Sequence, residues 1–362
     1  MRIGLVAGPW IPVPPPAYGG TERVVDVLAR GFVAAGHEVL LAAPSDSTCP
    51  VGRVPGMRVS EAAAMGTSFA ELSHIIRAYG GLGKVDIVHD HTLAGPLYLH
   101  RPSSVPVVTT IHGPLNPSAV DIYRAIGGNA SIIAISRDQV SHAPTVPVTQ
   151  VIYHGLELST VPVGKGQGGY ACFVGRMCPD KGVTEAIAIA REAGVPLRIA
   201  AKIREPEEVC YYREVVKPIL GANEEFIGEL GDAEKYVLMG EALAFLNPIQ
   251  WAEPFGLVMI EAMATGTPVV GTPVGSAPEI VDHGTTGFLA PVNELPALLP
   301  QAAALSRAAC RATVETRFSS DRMVAEHLKL FVGILEGQLP TRVLDRLALH
   351  ENQIQDPLTR GA

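Results

Sequence analysis

The chain has 362 residues, which at roughly 150 residues per domain favours two sizeable domains and excludes a disulfide-stapled miniprotein. Hydrophobic residues make up 47% and charged residues only 18%, a balance that builds large two-sided cores and excludes a disordered chain. Lys plus Arg number 28 against 36 Asp plus Glu, a formal charge of -8, so there is no broad basic footprint for nucleic acid and any phosphate site must be local.

Residues 2–7 read as an apolar strand, 8–20 as a long Pro/Gly-rich loop, 21–35 as a helix and 38–43 as a second strand, the βαβ grammar of a buried parallel sheet. Further strands are predicted at 86–89, 106–111, 131–135 and 149–152. The chemistry-poor stretch 53–83, like loop 8–20, is expected to shape acceptor access. Residues 156–169 carry no convincing element and read as a linker between a domain at 1–155 and one at 170–318. The grammar then restarts, with strands at 170–174, 196–201, 225–227, 244–246 and 268–270 and helices at 182–193, 206–219 and 256–264. Ser319 and Ser320 precede a helical pattern at 319–335, in which Val324, Leu328 and Phe331 share a face; 336–362 reads as a mobile tail. The fold class is therefore α/β, two doubly wound domains. The five scattered cysteines suit a reduced compartment, and no segment approaches the roughly 20 apolar residues of a membrane span, so a cytoplasmic protein without an integral membrane segment is expected. Composition says nothing about oligomeric state.

Parallel sheets bind ligands where the carboxyl ends of strands meet helix N-termini. Gly19 and Gly20 fall there in the first domain, ahead of Thr21 and Glu22, and can admit an anion to backbone N–H groups, although the loop lacks GxGxxG. In the second domain Val174-Gly175-Arg176 ends a strand and Pro179-Asp180-Lys181-Gly182 leads into a helix. A guanidinium fork and a mobile ammonium there suit a diphosphate. Lys202, at the end of the next strand, is either a third cation or the partner of Glu205. Glu253-Pro254-Phe255-Gly256-Leu257 opens a helix that carries Glu261. On one continuous helix the two carboxylates would lie about 80° apart; the break at Pro254 lets them address different parts of an elongated, hydroxyl-rich ligand. His112 follows a strand and enters the cleft. His89 and His91 share a strand side with Asp90 turned away, which makes no metal site without a third ligand, and His37 is read as satisfying a turn. Ser136 lacks a GxSxG elbow and reads as a helix cap.

Taken in order, Gly19-Gly20-Thr21-Glu22, Gly175-Arg176, Lys181-Gly182, Glu253-Pro254-Phe255-Gly256 and Glu261 resemble retaining glycosyltransferase family 4, with antibiotic-pathway members among the similar sequences. The resemblance runs to at least Phe318. It implies a GT-B architecture: two Rossmann-like domains facing across a cleft, the second holding a nucleotide-sugar donor and the first an acceptor, with the C-terminal helix crossing back. It places Arg176 and Lys181 on the donor diphosphate, Gly20 near the phosphates, Glu261 on the ribose hydroxyls, and Glu253 and His112 by the transferred sugar. The main chain at Phe255, Gly256 and Leu257 lies beside sugar and phosphate, and Phe226 and Ile227 meet the base. Lys202 stands where many members have a Gly-rich turn, which puts it near the leaving phosphate or the acceptor. The implied partners are a nucleotide sugar, with UDP-sugar ahead of GDP- and dTDP-sugars, and a hydroxyl-bearing acceptor; no metal and no essential cofactor are implied. A noncatalytic nucleotide-sugar or carbohydrate binding protein and a GT-B sugar epimerase are the competing readings.

Overall fold

The computed structural model describes residues 1–102 and 104–338; the expected tail lies outside the described residues from 339 onward. The chain forms two compact units, one of Met1–Tyr153 with the polypeptide from Met323, the other of His154–Arg322. No helix among the described residues is long and apolar enough to cross a membrane.

Among the described residues the first unit holds seven strands: β1 (Arg2–Val6), β2 (Glu38–Ala42), β3 (Gly52–Arg53), β4 (Ile87–Asp90), β5 (Val107–Thr110), β6 (Ser131–Ala134) and β7 (Val148–Val151). The second holds β8 (Ala171–Arg176), β9 (Leu197–Lys202), β10 (Glu224–Gly228), β11 (Phe245–Asn247), β12 (Val269–Gly271) and β13 (Gly287–Leu289). The sheet orders are β3-β2-β1-β4-β5-β6-β7 and β10-β9-β8-β11-β12-β13, and their ladders are parallel. Strand order reverses at β1/β4 and at β8/β11, so each unit has one switch point where loops part and a crevice opens. Helices cover both faces of such sheets, which is why Ile3, Leu5 and Val6 in β1 and Phe245 and Leu246 in β11 are buried as continuous runs.

The predicted strands appear within a residue or two. The two unforeseen ones, β3 and β13, are edge strands of two and three residues, too short to show a period. The stretch 53–83 contains a helix, Ser68–Gly81, that periodicity does not reveal. Ile75, Ala78 and Tyr79 are buried on one face while Phe69, Leu72 and Ile76 are exposed on another, so its apolar stripe is blurred. The helix expected over 206–219 is corrected to three short pieces. Pro206–Tyr211 is α-helical, Tyr212–Val216 takes the wider π turn, and Lys217–Ile219 is a 3-10 turn around Pro218, whose missing N–H cannot continue an α-helix.

The stretch 156–169 contributes only the 3-10 turn Leu158–Thr160, but it is held along the second unit. Arg307 donates to Gly164 O at 3.1 Å, and Arg311 donates to Val161 O at 2.9 Å and to Leu158 O at 3.2 Å. The last helix, Ser320–Leu335, packs within the first unit from Met323 on, with Phe331 against Phe32 at 5.6 Å between ring centroids and His327 against His89 at 5.1 Å.

Candidate active site

At the switch point of the second unit, Arg176 ends β8 and is the register partner of Lys202, which ends β9, so two cations stand side by side at the strand ends. The chain then turns through Pro179–Lys181 into helix Val183–Glu192. Gly182 makes that turn possible. Its φ is 73°, and a Cβ there would lie 2.0 Å from Pro248 O, so only glycine lets this loop press against the segment leaving β11. Gln250 N donating to Asp180 O at 2.8 Å ties the same two loops. Buried Lys181 is thereby aimed at the loop after β11, where its ammonium bonds Glu253 Oε1 and sits 5.6 Å from the centre of the Trp251 ring.

Glu253 lies outside helix Leu257–Ala264, as the break at Pro254 predicts. Gly256 caps the helix at φ 79°, a left-handed turn, and a Cβ there would lie 3.5 Å from Glu253 Oε2, so the carboxylate stays close to the start of the helix. Ser276 fixes this loop, its N–H donating to Glu253 O at 3.1 Å and its hydroxyl to Phe255 O at 2.5 Å. Phe255 is buried edge-on against His154, 5.1 Å between centroids. Three buried polar atoms at the end of β11 and in the segment after it have no hydrogen-bond partner among the described residues: Asn247 Nδ2, Trp251 Nε1 and Glu253 Oε2. Buried polar groups are ordinarily paired, so three orphans so close in the chain mark a candidate place for a ligand to supply the partners.

Glu261, one turn into the same helix, is buried and bonded to Lys235 at 2.7 Å. The two carboxylates therefore engage different cations. Lys202 is held by Glu205 and, at 3.5 Å, by Glu208; hydrogen bonding from Glu208 first, and then from Lys202, pulls the Glu205 carboxyl down to about 2. Beside it, the β9–β10 register slips between Phe226 and Gly228, leaving Ile227 bulged out of the ladder with its backbone groups released. Phe226 stacks on Tyr212 at 4.7 Å.

His112 and Gly20 belong to the first unit. Gly20 opens helix Gly20–Ala34, in whose first turn burial raises the pKa of Glu22. His112 is joined to His91, Nε2 to Nδ1 at 2.7 Å. His91 stacks on His89 at 4.1 Å, and His89 on His327 at 5.1 Å, making a row of four imidazoles. Burial, first, and neighbouring imidazoles push His112 down to about 4 and His89 well below its usual value. Asp90 does turn away from this row, to Tyr79 and Thr92, and burial lifts it to about 6. Ser136 caps helix Arg137–Ser141 by accepting from Gln139 N at 3.0 Å. His37 closes its turn through N–H to Phe32 O at 3.0 Å, and its ring meets the N-terminal ammonium at 3.2 Å.

Sequence reasoning missed Lys235, Asn247, Trp251, Ser276 and the role of His91. A usable signal existed for one of them: Lys235 is one of only seven lysines and occupies the first turn of helix Asp232–Glu241, where the helix dipole disfavours a cation. The rest depend on contacts between segments far apart in sequence.

Two family models match in tandem, Glycosyltransferase Family 4 over residues 18–160 and Glycosyl transferases group 1 over 162–304. The chain is 29% identical over 348 residues to a glycogen synthase of Mycobacterium tuberculosis, covering 79% of this chain and 81% of that protein. It is 26% identical over 328 residues to a phosphatidyl-myo-inositol mannosyltransferase of Mycolicibacterium smegmatis, covering 81% and 82%. Among solved structures it resembles AviGT4, a glycosyltransferase involved in avilamycin A biosynthesis, with a TM-score of 0.71, 26% identity, and 93% and 98% of the two chains covered. Two Rossmann-like units, the tandem models and these relatives together place the chain in the GT-B glycosyltransferase superfamily, as a transferase acting on a nucleotide-sugar donor.

Proposed function

We propose that the protein is a retaining glycosyltransferase of the family 4 kind. It moves a hexosyl group from a nucleotide sugar, UDP-sugar before other donors, to an acceptor hydroxyl in secondary-metabolite or glycan biosynthesis. The observation that carries this reading is the pair of buried Lys181 with half-buried Glu253 at a helix start, with Glu253 Oε2 left unbonded among the described residues. A pyrophosphate arriving at Arg176 and at the N–H groups of Gly256 and Leu257 competes for the Lys181 ammonium and frees Glu253 to face the sugar.

In this reading the acceptor oxygen attacks the anomeric carbon from the face that the diphosphate leaves. The C–O bond to the diphosphate breaks, and a leaving-group oxygen takes the acceptor proton. Arg176, Lys181 and the helix N-terminus stabilise the departing charge. Glu253 stabilises the oxocarbenium-like centre without forming a bond to it, Glu261 accepts from the ribose, and backbone at Phe226 and Ile227 meets the base. His112, kept neutral by burial, offers the sugar a hydrogen bond without a competing charge.

The test is incubation of the full chain with isotopically labelled UDP-glucose and an acceptor panel, with the product linkage read by NMR. Transfer with the donor's α-configuration kept is expected. An inverted linkage overturns the retaining assignment, and a free epimerised nucleotide sugar would make the chain a GT-B epimerase instead.

A further inference from the structure

The cation on Glu261 has no place in that charge chemistry. Glu261 is buried and Lys235 largely so, their side chains 7% and 11% exposed, and Lys235 also lies 3.0 Å from Asp232 and 5.0 Å from the centre of the Tyr236 ring. A buried ion pair seldom stabilises a fold more than apolar packing would, and the first turn of a helix is a poor place for a lysine. Retaining the pair points to a job in the site. The ammonium bonds only Oε1, fixing the carboxylate plane in the middle of helix Leu257–Ala264. Four acceptor lone pairs serve a carboxylate, so Oε2 and the remaining site on Oε1 are left for two donors a short distance apart. A vicinal diol presents that pair. Lys235 stands on the helix that follows β10, the strand whose bulge exposes backbone at Ile227, so the diol reader and the bulge share one end of the sheet.

We propose that Lys235 is a positioning residue that sets nucleotide specificity: by clamping Glu261 it makes the site select ribonucleoside diphosphates over their 2′-deoxy counterparts. The inference rests on the nucleotide-sugar donor reading and narrows it, because it removes thymidine-type donors from the candidates. A 2′-deoxy nucleotide donates once where the clamped carboxylate expects two hydrogen bonds.

The experiment is calorimetric titration of the full-length protein with UDP and with 2′-deoxy-UDP, on wild type, Lys235→Met, Lys235→Arg and Glu261→Gln, with thermal melts confirming folding. Wild type is expected to prefer UDP by about 10- to 100-fold, the worth of one hydrogen bond to a charged group. Lys235→Met should compress the preference to within about threefold, while Lys235→Arg retains most of it. A purely structural lysine would lower both affinities and leave their ratio intact, and that result overturns the proposal. So does a wild type that binds the two nucleotides equally, which leaves the donor reading standing. A wild type that binds neither overturns the donor reading together with this one. Should Lys235→Met not fold, Lys235→Gln carries the same comparison.

Discussion

The two units place different chemistries at the strand ends of the same fold. In the second, the strand ends and the helices beside them carry Lys–Glu pairs: Lys181 with Glu253, Lys202 with Glu205, and Lys235 with Glu261. Three of the chain's seven lysines are committed to them. In the first, β4 and the loops after β4 and β5 carry His89, His91 and His112 in a stacked row, with burial keeping His89 and His112 neutral. Such a pair can exchange its carboxylate for an incoming anion, as proposed for Lys181, or fix the direction of the carboxylate, as proposed for Lys235. A row of neutral imidazoles offers hydrogen bonds with no net field, which suits an uncharged polyol. One doubly wound scaffold therefore supports either an ionic or a neutral site, according to the side chains carried at its strand ends.

That contrast can be broken most sharply at Glu253. Glu253→Gln keeps the shape and removes the charge, and is expected to lower transfer by about 10³-fold while UDP affinity by calorimetry stays near wild type. Unchanged turnover would strip the carboxylate of its role.

The imidazole row predicts acid sensitivity. His112 at about 4 binds fewer protons when folded than its ordinary 6.5 would allow, as do His89 and His74, the latter also lowered to about 4 by burial. Between those values the unfolded chain binds more protons, so this stability is complete above pH 6.5 and is lost as pH falls towards 4, on the order of 3 kcal/mol for one such imidazole. Asp90, raised to about 6, works in the opposite direction over pH 4–6, and the three histidines outweigh it. Denaturant melts at pH 7 and pH 5 should show the loss; a first unit as stable at pH 5 as at pH 7 would remove the neutral-row description.

Arg176→Ala tests the charged side at smaller scale. It should weaken UDP binding by about 10- to 100-fold and uridine binding very little, since only the former carries the diphosphate. Smallest of all, Ser136→Ala should cost about 1 kcal/mol in a thermal melt through its lost helix cap and leave transfer by the remaining folded protein unaffected.

Much of the fold was legible because a parallel sheet buried on both faces writes each central strand as a short apolar run. Those runs also located the end of β8, where Arg176 stands, and the loops after β5, β8 and β11 that carry His112, Lys181 and Glu253. Edge strands β3 and β13 and helix Ser68–Gly81 escaped, being too short or apolar on two sides to show one period. The break at Pro254 could be read, and it correctly separates Glu253 from the helix that carries Glu261.

The amino-acid sequence by itself determined the doubly wound class, the strand ends, and which chemical groups stand there, because those depend on local periodicity and on residues adjacent in the chain. Only the tertiary structure decided the pairings: Lys181 reaches Glu253 across 72 positions, Lys235 reaches Glu261 across 26, and His91 meets His112 across 21. No local pattern encodes such contacts, since which buried charge neutralises which is settled by how the loops pack once the sheet has formed.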